Sequence, residues 1–123
     1  MRKPISRQLH GLADYGYVAV MAVAPELFGF RHVRSASALC RVLAGTVLAS
    51  TLLTRAEWGL IRVIPFRAHL TLDRLLSAGV LASPWLLGFA SHPSARVTLL
   101  TAGGFGLLAG QLTRPEEMQE DHS

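Results

Sequence analysis

The chain of 123 residues has few charged residues and a single cysteine. Charged residues make up 16% of it and hydrophobic residues 50%, whereas an average soluble domain is about 25% charged. This composition excludes a disordered chain, and it offers little polar surface for a water-soluble bundle. Cys40 alone excludes an intrachain disulfide and a cysteine-based zinc site. The length excludes two ordinary soluble domains.

Charge is absent altogether from four long stretches, at 15–25, 42–54, 75–91 and 97–113. None of them carries the polar stripe of an amphipathic soluble helix. Extended to their polar flanks, they become segments of about 20 residues, the length that crosses a bilayer. These segments are 10–30, 37–55, 69–90 and 95–114. We therefore predict an all-α polytopic membrane protein with four transmembrane helices.

The two halves of the chain repeat each other at an offset of 59 residues. The repeated residues include His10/His69, Asp14/Asp73, Pro25/Pro84, Gly29/Gly88, Phe30/Phe89, Thr54/Thr113 and Arg55/Arg114. Two unrelated apolar helices would share leucine and alanine, not these types. We predict two tandem helical-hairpin repeats at 10–57 and 69–116, related by a pseudo-two-fold axis along the membrane normal. A basic N-terminus (1–9), a connector (58–68) and a solvated acidic tail (117–123) complete the chain.

Basic residues are unequally divided between the two ends of the predicted helices. Eight lie on the side of the termini, namely Arg2, Lys3, Arg7, Arg55, Arg62, Arg67, Arg74 and Arg114, and four lie on the other, namely Arg31, Arg34, Arg41 and Arg96. The positive-inside rule predicts a multi-pass protein of the inner (plasma) membrane with both termini in the cytoplasm. Because topology accounts for most of the net charge of +4, nucleic acid is not an expected partner. The expected partners are the lipid bilayer and either a second copy or a larger membrane complex.

The motif Ser83-Pro84-Trp85, preceded by HLTLD at 69–73, resembles the SPW-repeat family of small bacterial membrane proteins. The first copy departs from the motif and reads APE at 24–26. The resemblance implies a membrane location and a hairpin architecture, and it supplies no activity, cofactor or catalytic residue. We expect Pro84 to loosen the last turns of its helix and Trp85 to lie at the membrane interface.

Repeated polar residues within the apolar segments form the candidate site. His10 and Asp14 are four residues apart, as are His69 and Asp73, so each pair shares one helix face. The pseudo-two-fold axis could turn the two pairs towards each other near the cytoplasmic side. A charge at this depth is costly unless it is paired, interfacial or functional.

Three interpretations of these residues are open. The structural one pairs Asp14 with Arg55 and Asp73 with Arg114 as buried ion pairs between helices. A second makes the histidines and aspartates a proton or ion relay. A third has them bind a divalent metal, or has the two imidazoles bind haem. We favour a small structural or accessory membrane protein without enzymatic activity or cofactor; the alternatives are a proton-conducting, ion-conducting or transport element and a metal- or haem-binding subunit.

Small residues are concentrated in the fourth segment. Gly106 and Gly110 form a small-xxx-small pair that permits close helix approach. We predict that they pack against the second helix, near Gly45; the alternative is a contact between two copies of the chain.

Overall fold

The computed structural model describes residues 3–118 and contains four α-helices in that range. They are α1 (Arg7–Leu27), α2 (Arg34–Leu52), α3 (Phe66–Leu86) and α4 (Pro93–Leu112). Helix α1 packs mainly on α2, and α3 packs mainly on α4. The predicted all-α architecture is therefore confirmed as a bundle of two helical hairpins. Residues 1–2 and 119–123, which include most of the predicted acidic tail, lie outside the described part of the chain.

The first helix of each hairpin ends in the same way. A proline stands two residues before the last residue of α1 and of α3. Beyond each helix, Gly29 (φ 75°) and Gly88 (φ 76°) adopt the left-handed conformation that a Cβ disfavours. The N–H groups of Phe30 and Phe89 then donate back to the proline carbonyl oxygens at 2.9 and 2.8 Å. These bonds satisfy carbonyls at the helix end, as in a Schellman motif.

Short main-chain pairings join the two hairpins at the end of the bundle where the chain begins. Ile5 pairs in parallel with Thr113, and Ile64 pairs in parallel with Thr54. The residues that follow the two threonines donate N–H groups to the carbonyl oxygens of Ile5 and Ile64, at 2.9 and 2.8 Å. Since the paired residues are related by the offset of 59, the repeat seen in the sequence recurs in the main-chain hydrogen bonds.

Apolar side chains cover much of the surface of the bundle, and some polar side chains lie in its interior. Large apolar side chains are exposed on all four helices, among them Leu12, Val23, Val42, Leu48, Leu75, Leu86, Val97 and Leu108. The interior combines an apolar core, which includes Met21, Phe30, Leu43, Val80, Phe89 and Leu99, with buried polar and ionisable side chains. The latter include His10, His69, Asp73, Ser77, Thr54 and Thr113. By length and composition, one described helix, α2 with 19 residues, is apolar enough to cross a membrane. A buried helix of a soluble protein can have the same length and composition.

Gly106 and Gly110 of α4 pack against α3, and the prediction that they contact α2 is wrong. A Cβ would come within 3 Å of an α3 side chain at each of Gly103, Gly106 and Gly110. A Cβ on Gly45 of α2 would meet nothing within 4 Å. The close approach therefore lies inside the second hairpin, between helices that are neighbours in sequence.

The beginning of the predicted acidic tail is fixed against the start of α3. The carboxylate of Glu117 accepts the main-chain N–H groups of Phe66 and Arg67, both at 2.9 Å. These first N–H groups of a helix have no partner within it, and the helix dipole favours an anion there. Glu117 thus caps α3 instead of belonging to a solvated tail.

Candidate metal centre

His10, Asp14, His69 and Asp73 meet in the interior of the bundle, near the starts of α1 and α3. His10 Nε2 lies 2.8 Å from Asp73 Oδ2, and His69 Nε2 lies 2.9 Å from Asp14 Oδ2. Each histidine therefore pairs with the aspartate of the other repeat. Within one helix, the corresponding distances are 3.4 Å in α1 and 3.1 Å in α3. The structure brings together all four residues that the repeat had singled out.

Phe66 covers this cluster at the end of the bundle where α3 begins. Its ring meets the ring of His10 edge to face, with centroids 5.8 Å apart, and stacks on that of His69 at 6.1 Å. Both histidines and Phe66 are 1% exposed. The imidazoles are therefore held in a fixed position away from bulk solvent.

Two threonines determine where each imidazole carries its proton. His10 Nδ1 lies 2.8 Å from Thr113 Oγ1, and His69 Nδ1 lies 2.7 Å from Thr54 Oγ1. Each threonine follows the end of a helix, and its hydroxyl donates its only proton to the carbonyl oxygen four residues earlier in the chain. The hydroxyl can then only accept, so Nδ1–H donates to it. Both rings are protonated on Nδ1 and direct Nε2 at the carboxylates.

A proton or a metal cation must lie between each Nε2 and the carboxylate oxygen beside it. Without one, the nitrogen lone pair would face that oxygen at less than 3 Å. The site therefore holds either one further proton for each histidine–aspartate pair or a cation shared by all four groups. Two imidazolium ions and two carboxylates sum to zero, and so do two neutral imidazoles, two carboxylates and one divalent cation. One divalent ion therefore replaces two protons without changing the net charge of the site.

The four donor atoms are close enough together to hold a metal ion. One ligand atom from each residue lies within 4.8 Å of all the others. A tetrahedral ion with bonds of about 2.0 Å places its donors about 3.3 Å apart, and the four nitrogen-to-oxygen distances are within about half an ångström of that. Imidazole and carboxylate together suit zinc and other first-row transition metals. Metal-bound histidines also usually donate their second ring N–H to a nearby oxygen, as both do here to threonine.

Haem does not fit between the two histidines. Their ring centroids are 5.5 Å apart, and the aspartate carboxylates occupy the space that both Nε2 atoms face. The cavity beside them has a volume of only about 20 Å³. The interpretation of the two imidazoles as axial haem ligands is therefore wrong.

The aspartates have partners different from the arginines suggested by the sequence. Besides the imidazoles, Asp14 accepts a hydrogen bond from the hydroxyl of Thr51 at 3.2 Å. Arg114 donates through Nε to the carbonyl oxygen of Lys3 at 2.7 Å, which ties the N-terminal segment to the end of α4. The carboxylates of Asp14 and Asp73 thus meet histidine where Arg55 and Arg114 were expected.

Sequence reasoning did not select Thr54 and Thr113 as site residues. The signal was present, because both open the repeated Thr-Arg pair at the offset of 59. What the sequence does not contain is the distance from the end of one hairpin to the first turn of the other. That distance makes each threonine the hydrogen-bond acceptor of a histidine.

The Ser-Pro-Trp motif lies at the other end of α3. Ser83 and Pro84 are buried, and the Ser83 hydroxyl donates to the carbonyl oxygen of Val80 at 2.6 Å. Trp85 is 63% exposed. The motif starts ten residues after Asp73, or about 15 Å along the helix, so it is separate from the histidine–aspartate cluster.

Comparison of the chain with protein-family models, with curated proteins and with solved structures found no match. The resemblance to SPW-repeat proteins stays a prediction, and the argument for function rests on the geometry of the four-residue cluster.

Proposed function

We propose that the chain is a multi-pass membrane protein whose two hairpins bind one divalent transition-metal ion between them. The ligands are Nε2 of His10 and His69 and a carboxylate oxygen of Asp14 and Asp73. The observation that carries the proposal is the convergence of these four donors, with both Nδ1 protons fixed by threonine hydroxyls. Because each repeat supplies one histidine and one aspartate, the ion joins the two hairpins and fits a structural or accessory role.

The membrane location is supported by the large apolar side chains on the surface of all four helices. An apolar surface that extends over four helices needs an apolar environment or a covering partner. The interior, by contrast, holds imidazoles and carboxylates, as polar groups in membrane proteins face the inside of a bundle. The positive-inside rule favours cytoplasmic termini, and the SPW resemblance points to the same kind of protein.

Transport of a divalent cation against protons is the second candidate function. The specific observation in its favour is the charge balance of the site, which is neutral with two extra protons or with one divalent ion. Such an exchange avoids leaving an uncompensated charge in the membrane, which would cost several kcal/mol. Uptake of Co²⁺ into proteoliposomes that is driven by a proton gradient and lost in Asp73→Asn would support transport.

Calorimetric titration of the purified protein in detergent with Co²⁺ tests the metal site. We expect one ion per chain and about two protons released per ion, measured by repeating the titration in buffers of different ionisation enthalpy. Asp73→Asn and His69→Gln should each weaken binding at least tenfold. His92→Gln is the matched control, because it removes an exposed histidine outside the cluster, and it should bind like the parent.

Two results would contradict the metal proposal. One is a parent protein that binds no Co²⁺. The other is binding that Asp73→Asn and His69→Gln leave intact, which would place the ion elsewhere. In either case the cluster would be a set of neutralised hydrogen bonds that holds the hairpins together.

A further inference from the structure

A small cavity lies beside the four-residue cluster, on the side that faces the middle of the bundle. Its volume is about 20 Å³, and the residues with polar groups in its lining are His10, Asp14, Tyr17, Asp73 and Ser77. A cavity needs about 10–15 Å³ and two to four polar partners to hold one water molecule. This cavity meets both conditions for a single small ligand.

Both repeats contribute to the lining of the cavity. Three pairs of equivalent positions line it, namely Asp14/Asp73, Tyr17/Leu76 and Val47/Gly106, and the rest of the lining comes from His10 and from α3 and α4. A metal ion held by the four-residue cluster would lie next to the cavity, since three of the four ligand residues line it. A ligand in the cavity would therefore approach the ion from the side of His10, Asp14 and Asp73.

The second repeat departs from the first where the cavity forms. Ser77 and Gly106 stand at the positions that Val18 and Val47 occupy in the first repeat. A Cβ on Gly106 would lie 2.2 Å from the Ser77 hydroxyl oxygen, so the glycine makes room for the hydroxyl. Two apolar side chains are thus replaced by one hydroxyl, which takes the room that the glycine leaves, next to the carboxylates. The glycine serves the close approach of α4 to α3, and the hydroxyl at position 77 adds a polar atom to the cavity wall.

We propose that the cavity holds a fifth, exchangeable ligand of the metal ion, an uncharged molecule of the size of water, in reach of the Ser77 hydroxyl. This inference rests on the proposed metal site and extends it. Structural metal sites use all their positions for protein ligands, whereas reactive ones keep a position open for water or substrate. The cavity gives this centre an open position.

Nitric oxide and the Fe²⁺-loaded protein provide the test under anaerobic conditions. Nitric oxide is small and uncharged, so it can reach a buried site, and it gives an iron-nitrosyl signal in electron paramagnetic resonance. Val47→Leu adds one methylene to the cavity wall and should lower nitric oxide affinity at least tenfold while iron stays bound. Val18→Leu is the matched control, since it makes the same change at the repeat position equivalent to Ser77. It should behave like the parent.

A second variant tests the hydroxyl without adding volume. Ser77→Ala combined with Gly106→Ala moves one heavy atom from residue 77 to residue 106, because the new Cβ would lie close to the former hydroxyl position. We expect this variant to bind iron and nitric oxide but to shift the N–O stretching frequency in the infrared. If Val47→Leu fails to fold, this double variant still tests whether the ligand lies beside residue 77.

The outcomes separate this inference from the metal site itself. Iron that binds to the parent protein but takes up no nitric oxide overturns the open position and leaves the metal site standing. The open position is equally overturned if Val47→Leu binds nitric oxide like the parent, or if the double variant leaves the N–O frequency unchanged. A parent protein that binds no iron or Co²⁺ overturns the metal site and the open position together.

Discussion

Replacing Thr113 by valine is expected to weaken metal binding by about 10- to 100-fold, the usual effect of removing a partner that orients a ligand. Thr113 is 0% exposed, and its hydroxyl accepts Nδ1–H of His10 at 2.8 Å. Valine keeps the shape but leaves that N–H without an acceptor in a dry interior. The ring can then move its proton to Nε2, the atom that must coordinate the ion.

The magnitude follows from the buried hydrogen bond. A tenfold change corresponds to about 1.4 kcal/mol, so the expected loss is about 1.4–2.8 kcal/mol. An unsatisfied buried donor costs about 1–3 kcal/mol, which covers the same range. The affinity is measured by Co²⁺ titration of each variant, and thermal unfolding with and without Co²⁺ shows whether the loss is confined to the metal-bound state.

Two variants serve as controls for Thr113→Val. Thr113→Ser keeps the hydroxyl and should restore most of the affinity. Thr98→Val removes the same kind of bond to a helix carbonyl four residues earlier, at a half-buried position of α4 outside the cluster, and should leave the affinity unchanged. If Thr113→Val binds Co²⁺ within twofold of the parent, or if Thr98→Val loses as much, the threonines do not set the histidine tautomer.

Three further predictions concern the surroundings of the site. The guanidinium of Arg7 donates to the carboxylate of Glu57 and lowers the pKa of Glu57 below its ordinary value of 4.5. This ion pair therefore contributes its full stabilisation, on the order of 0.5–1 kcal/mol, above about pH 4.5. The stabilisation is lost as the pH falls through the lowered pKa. Glu57→Gln should flatten this acid dependence of the free energy of unfolding, and an unchanged pH profile would contradict the stabilising role of the pair. Gly103→Val should destabilise the bundle by about 1–3 kcal/mol through overpacking against α3. Gly104→Val is the control and should be tolerated, because a Cβ on Gly104 meets nothing within 4 Å. Equal unfolding temperatures of the two variants would refute the close packing at Gly103. Phe66→Ala should lower the free energy of unfolding by about 3–5 kcal/mol. Because the ring covers the cluster, the substitution should also speed the removal of Co²⁺ by a chelator, measured by stopped flow. Phe66→Leu should fall between the parent and the alanine variant, and an unchanged chelation rate would show that the ion leaves by another route.

Much of the architecture could be predicted because the sequence repeats itself. Helix type and number follow from uncharged stretches of fixed length, and the glycine that ends α1 or α3 follows from its need for a positive φ. The partner of α4 could not be predicted, since a small-residue pair indicates close approach without naming the opposite helix. Glu117 was placed in a solvated tail because its acidic neighbours suggested no contact, whereas the exposed N–H groups at the start of α3 attract its carboxylate.

The sequence by itself determined that His10, Asp14, His69 and Asp73 belong together. It did so because four-residue spacing puts two side chains on one helix face and because the offset of 59 relates the two faces. Only the tertiary structure decided their partners. Each histidine bonds to the aspartate of the other repeat, and the threonine that orients its ring comes from the hairpin end packed beside it. These distances depend on how two hairpins meet, and spacing along one chain does not contain them.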